Sequence, residues 1–177
     1  YKAAGAHAPE MQLVDLGGKW GGGIGVASKW VPDVKKLDPS SDADRALAAQ
    51  DFAADCWLAN WDAVGLSYDN IVIANGAAIR IDPGGSLDYR AQGTLKGKAF
   101  GDTVGEIETL RDPKVNPQAA HVFGSMTAAD IVQSMQKVVA VDDATITSLV
   151  EKYGPGDAKQ RAALAAKLIA RRNDMLA

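Results

Sequence analysis

Asn70-Ile71-Val72-Ile73-Ala74-Asn75-Gly76-Ala77-Ala78-Ile79-Arg80-Ile81-Asp82 encodes a β-hairpin. Asn-Gly between two short β-branched runs favours a type I′ turn, which needs positive φ at both central residues. With Asn75-Gly76 as the loop, Ala74 faces Ala77, Val72 faces Ile79, and Asn70 faces Ile81. Asp69 then lies opposite Asp82. Directly opposed residues in such a ladder sit about 4.5–5.5 Å apart. Two carboxylates that close repel unless a cation sits between them. A divalent metal with oxygen ligands meets that need. Arg80 alternates with Ile79 and Ile81, so it projects to the other side and is expected to reach solvent, or else a phosphate.

Upstream, Ser41 with Asp44 three residues on reads as a helix start, and the helix is expected to run to about Asn60. Leu47, Phe52, Trp57 and Leu58 supply its buried side. The helix delivers Asn60-Trp61-Asp62 into a loop broken at Gly65, eight residues before Asn70. Asp62 from the loop, Asn70 at the hairpin's start and Asp82 at its end can therefore converge. Phosphoryl transfer uses such a set: one carboxylate positions or deprotonates the acceptor hydroxyl, while an amide oxygen and a second carboxylate hold magnesium against nucleotide phosphates. Magnesium keeps several waters, so two protein ligands suffice. The competing reading is turn chemistry, since Asp and Asn are common at strand ends and in loops.

The flanks fill in a helix-dominant α+β architecture. Met11–Leu16 and Gly25–Val31 read as strands joined by Gly17-Gly18-Lys19-Trp20-Gly21-Gly22-Gly23. That run has a lysine but lacks the order of a phosphate-binding loop, so a hairpin connection is the expectation. Pro32 through Ser41 is a loop, and Pro83-Gly84-Gly85 ends the hairpin abruptly. Ser86–Gly124 is irregular, as long loops with a function or with short helices of their own are. Three helices follow: one capped by Thr127 with Asp130, one capped by Asp142 or Asp143 and ended by Gly154, and one capped by Asp157. Arg171-Arg172 near the last C-terminus suits the helix dipole.

The 177 residues allow one domain with a real core. A formal net charge of −3 argues against a general nucleic-acid surface. The single cysteine, Cys56, sits in an apolar run and is expected to be buried packing rather than a nucleophile. Trp57 and Trp61 are expected as core anchors, and His7 and His121 are too isolated for a metal pair. No stretch approaches the length of a membrane span, and no signal peptide opens the chain. A cytoplasmic location, or a phage particle, is the expectation. Tyr1 in place of Met is expected of a processed product or a piece of something longer.

Asp55-Cys-Trp-Leu-Ala-Asn60-Trp-Asp62, Asp69-Asn70-Ile-Val-Ile and Ile81-Asp82-Pro-Gly-Gly-Ser-Leu together resemble the catalytic half of an atypical kinase-like fold. The relatives in view are actin-fragmin kinase, HipA-type and phosphoinositide-kinase-like domains. By that similarity Asp62 matches the catalytic aspartate, Asn70 the metal-binding asparagine and Asp82 the metal-binding aspartate, with Mg and ATP as implied cofactors. The strings Arg90-Ala-Gln-Gly93, Leu110-Arg-Asp-Pro113 and Val122-Phe-Gly124 are similar to uncharacterised kinase-like domains of bacteria and their phages. Two departures stand out: the spacing from Asp62 to Asn70 exceeds the about five residues of the protein-kinase catalytic loop, and Pro83 stands where a protein kinase has phenylalanine.

The resemblance implies that residues 1–37 are partial small-lobe strands and a hinge, and 38–177 a helical large lobe. Tyr1–Glu10 resembles the end of the small-lobe helix and the turn into its fourth strand. The first three strands would then come from an N-terminal fragment or second chain. The expected function is an ATP- and Mg-dependent phosphotransferase-like domain. The alternatives are a non-catalytic kinase-like binding or structural module (a pseudokinase, in a phage particle) and a globular domain whose acidic hairpin is coincidental. Neither nucleic acid nor membrane is expected as a partner.

Overall fold

The computed structural model describes residues 1–18 and 21–177, so Lys19, on which a phosphate-loop reading of the glycine run turns, lies outside the described residues. The chain runs β1 (Met11–Asp15), β2 (Ile24–Ser28), β3 (Lys35–Lys36), α1 (Asp42–Ala49), α2 (Phe52–Trp57), β4 (Ile71–Ala74) and β5 (Ala77–Arg80). After it come α3 (Glu106–Thr109), α4 (Pro117–Phe123), α5 (Ala128–Val139), α6 (Asp143–Tyr153) and α7 (Ala158–Asp174). The class is α+β and helix-rich.

The hairpin forms in the register its turn dictates. Asn75 and Gly76 have φ of 51° and 73°, and Val72 pairs with Ile79 and Ala74 with Ala77. The ladder continues as the Ile81 N–H donates to the Asn70 carbonyl at 2.9 Å, which brings Asp69 toward Asp82. β3 adds a third strand beside β4. β1 and β2 form a separate two-stranded ribbon whose shared face, Met11, Leu13, Ile24 and Val26, is exposed.

Arg80 does not face solvent. The face holding Ile71, Ile73, Ala78 and Arg80 is the deeply buried one, with Arg80 at 0% exposure, because α1 packs on β5 where the small Ala78 allows close approach. The guanidinium is matched there: Nε and Nη2 donate to Asp55 at 3.2 and 2.8 Å, Nη2 to the Ala48 carbonyl at 2.7 Å, and Nη1 to Asp51 at 3.5 Å. A buried charge is tolerated only when so paired and hydrogen-bonded.

The expected single helix from Ser41 to Asn60 is two helices. Ser41 does cap the first, accepting from the Asp44 N–H. The break falls at Gln50-Asp51, where Asp51 leaves the helical region (φ −116°). Its carboxylate collects Lys137 Nζ at 2.8 Å, His7 Nδ1 at 3.1 Å and the His7 N–H at 3.0 Å. Burial alone would raise the Asp51 carboxyl, but Arg80, Lys137 and His7 outweigh it and hold the group below its usual range.

The later caps are as expected: Thr127 with Asp130 and Asp157 with Gln160 form complete capping boxes, and Asp142 rather than Asp143 caps α6. Leu164 and Leu168 of α7 and Met175 at its C-terminal cap are buried, as are Cys56 and Trp57. Arg171 is more than a partner for the helix dipole. Fully buried, it pairs with Glu106 at 2.7 Å and donates to the carbonyls of Cys56, Trp57, Gly101 and Thr103. It thereby ties α7 to the end of α2 and to the irregular segment before α3. Lys35 and Lys36 pair with β4 of the hairpin, and the Arg80 N–H donates to the His7 carbonyl at 2.9 Å, so segment 1–37 is anchored on the rest of the chain there as well as through His7 on Asp51. No helix among the described residues is long and apolar enough to cross a membrane.

Candidate functional site

Asp62 is placed by the way α2 ends. Ala59 takes the left-handed conformation (φ 51°), the Asn60 N–H reaches the Asp55 carbonyl at 2.8 Å and the Ala59 N–H the Cys56 carbonyl at 3.0 Å. This is a Schellman stop with alanine where glycine is usual. Lys96 compensates the reversed backbone: its Nζ donates to the carbonyls of Ala59, Gly85 and Leu87 at 2.8, 2.7 and 2.7 Å. One ammonium thus staples the Asp62 loop to the segment that follows β5. Burial lowers the Lys96 ammonium to about 8, and while protonated each of its N–H groups meets a carbonyl. Lys96 offers no recognisable signal in the sequence.

Asn60 turns the loop. Its Oδ1 accepts from the Asp62 N–H at 3.3 Å, and its Nδ2 donates to the Tyr1 hydroxyl at 2.8 Å, which itself donates to Asp55 at 2.9 Å. Gly85 lies flat against this turn. A Cβ there would stand 2.8 Å from both Asn60 Oδ1 and Asp62 Cβ, so the Pro83-Gly84-Gly85 run both ends the hairpin and admits the Asp62 loop beside it.

Asn70 is the hinge of the site. Its Nδ2 donates to the Asp62 carbonyl at 2.6 Å and to Asp62 Oδ2 at 3.2 Å. Both partners are acceptors, so the amide nitrogen must face Asp62 and Oδ1 must face away. Oδ1 turns toward Gly65, where it and Asp69 Oδ1 come within 3 Å of the same point, at 2.9 and 2.5 Å from an added Cβ. Gly65, with φ of 74°, keeps that space open. Asp82 is exposed, its Oδ1 accepting from the Gly84 N–H at 2.9 Å. The Asp62 carboxyl is raised above its usual value, first by burial and then, against the Asn70 hydrogen bond, by the charges of Asp82 and Asp69.

Asp62 and Asn70 are therefore joined directly, and Asp82 lies within charge reach of Asp62. Asp69, which the register placed opposite Asp82, belongs to the same group. Among the described residues no three His, Cys, Asp or Glu side chains cluster as a metal site. The set here is an amide oxygen with carboxylates, a hard all-oxygen donor group whose mutual repulsion a divalent cation would relieve, and in those respects it fits magnesium. An Asp with a raised pKa beside it suits a proton acceptor. His7 and His121 take no part, His121 Nδ1 lying 3.1 Å from the Tyr68 hydroxyl.

Trp61 is half-buried and packs against the core in which Trp57 is buried. Its Nε1 donates to Glu106 at 3.0 Å, its carbonyl accepts from Asn116 Nδ2 at 2.8 Å, and Arg90 lies over its ring at 4.7 Å. The residue next to Asp62 is thus held on several sides. The chain matches no protein-family model, no curated protein and no solved structure.

Proposed function

We propose that the chain is the large-lobe part of an ATP- and magnesium-dependent, kinase-like phosphotransferase. Asp62 positions and deprotonates an acceptor hydroxyl, and Asn70 Oδ1 and Asp82 hold magnesium. Bound there, the metal neutralises charge on the nucleotide phosphates. The observation that supports this reading best is the orientation of the Asn70 amide. Its nitrogen is spent on Asp62, so its oxygen is left toward Asp69 in a cluster short of positive charge. The raised Asp62 carboxyl is in keeping with a base.

A second reading, a kinase-like binding or structural module without catalysis, is favoured by the β1–β2 ribbon. A two-stranded ribbon is marginal alone in water, yet this one leaves Leu13, Ile24 and Val26 at 60–70% exposure and Trp30 beyond it at 84%. Under either reading that face suits further strands from an N-terminal fragment or second chain. Thermal unfolding with magnesium and ATP tests the first. Saturating Mg-ATP at about 100 times its dissociation constant adds about 2.7 kcal/mol, a rise of roughly 5–10 °C for a domain this size. No rise with Mg-ATP, with the small-lobe strands supplied, rules out the phosphotransferase and leaves the binding module.

A further inference from the structure

We infer that the acceptor substrate carries a phosphate group, bound beside Trp61 by Arg90 and Lys98. The inference rests on the reading of Asp62 as the carboxylate that faces the acceptor. A cavity of about 610 Å³ is lined by Trp61, Arg90, Lys98, Thr103, Thr109 and Asn116, among others. That volume suits a small organic molecule. A second cavity of about 210 Å³ contains Asp62 and Gly65 in its wall, and the two share Trp61, Val115 and Asn116. The two cavities therefore adjoin at Trp61, with the proposed base in the wall of the smaller one.

Charge distinguishes the two cavities. Arg90 and Lys98 are exposed and form no ion pair among the described residues. The carboxylate in the lining, Glu106, is already engaged by Arg171 at 2.7 Å and by Trp61 Nε1 at 3.0 Å. The wall of the larger cavity thus carries two unpaired cations, and that of the smaller one the Asp62 carboxylate. The Arg90 guanidinium, a planar fork of donors, lies over the Trp61 ring at 4.7 Å. The tight turn at its base orients it, the Arg90 N–H donating to the Thr94 carbonyl at 2.8 Å and the Gly93 N–H to the Arg90 carbonyl at 2.8 Å. A guanidinium fork, an ammonium and the Thr103 and Thr109 hydroxyls offer more donors than one carboxylate can accept, and a phosphate monoester uses them better. A small phosphate ester with a free hydroxyl some distance from its phosphate matches both cavities.

The test is a titration of inorganic phosphate, and separately of acetate, without magnesium or nucleotide. The readout is the Trp61 indole N–H resonance, identified by its loss in Trp61→Phe. Phosphate is expected to shift that signal saturably in the millimolar range, acetate more weakly. Arg90→Ala with Lys98→Ala should weaken phosphate by about tenfold per cation removed, with the other indole signals unmoved. Absence of a saturable shift, acetate binding as tightly as phosphate, or undiminished affinity in the double variant each overturns the inference. Because metal and nucleotide are absent, failure here and failure of the phosphotransferase reading are separate results.

Discussion

Replacing Arg80 with Met keeps most of the side chain's volume and deletes its charge. In the wild type the guanidinium makes six hydrogen bonds to Asp55, Asp51, Ala48 and Ala78 at 2.7–3.5 Å and is 0% exposed, with Asp51 and Asp55 at 1% and 0%. Removing it strands Asp55 without a cation, while Asp51 keeps Lys137 and His7. Breaking one partner of a buried pair costs about 3–5 kcal/mol, because a buried charge is left uncompensated. For a domain of this length that lowers the unfolding midpoint by roughly 6–20 °C. The assay is urea unfolding of wild type, Arg80→Met, Asp55→Asn and the double variant. Arg80→Met should fall by about 3–5 kcal/mol, and the double variant should lie above it, since Asp55→Asn removes the stranded charge. A loss under about 1 kcal/mol, the range of an exposed pair, or a double variant less stable by the plain sum of the singles, refutes the buried-pair account of how β5 is held.

Two substitutions should move the Asp62 carboxyl in opposite directions. Asp82→Asn removes a neighbouring negative charge and should lower its pKa, and Asn70→Ala removes the hydrogen bond that favours the carboxylate and should raise it; a carbon-13 NMR titration reads both. Gly65→Ala requires a left-handed alanine and sets its Cβ 2.5 Å from Asp69 Oδ1, so it should destabilise by at least about 1–3 kcal/mol in denaturant titration. Acid unfolding should also report Asp51. Its folded pKa lies below the unfolded value near 3.8, so its contribution is complete above that pH and is lost as pH falls through the folded pKa. Asp51→Asn should accordingly flatten the stability profile below about pH 4.

What the sequence made legible was local. The Asn75-Gly76 turn needs only its own two residues, and it brought Asn70 and Asp82 to one end of the hairpin before any tertiary contact was considered. Thr127 with Asp130 and Asp157 with Gln160 likewise act within one turn of helix. What escaped depends on partners far along the chain. The break at Asp51 is held by Lys137, which lies 86 residues away. Alternation named the two faces of β5 correctly but could not say which is covered. α1 covers the Ala78 and Arg80 side, and it can do so because α1 and α2 bring Ala48, Asp51 and Asp55 to the guanidinium. The Asp62–Asn70 contact was foreseeable from their short separation. The Lys96 staple was not, since a lysine that caps three carbonyls reads like any other lysine.

Calorimetric titration of magnesium into the protein and its Asp82→Asn form decides whether Asn70 and Asp82 hold a divalent cation beside Asp62. Binding should saturate in the wild type and be lost in Asp82→Asn, while the metal-free variant should unfold at or above the wild-type midpoint because carboxylate repulsion is relieved, and that combination is what a cation held by Asn70 and Asp82 requires. Equal magnesium affinity in the two proteins contradicts it.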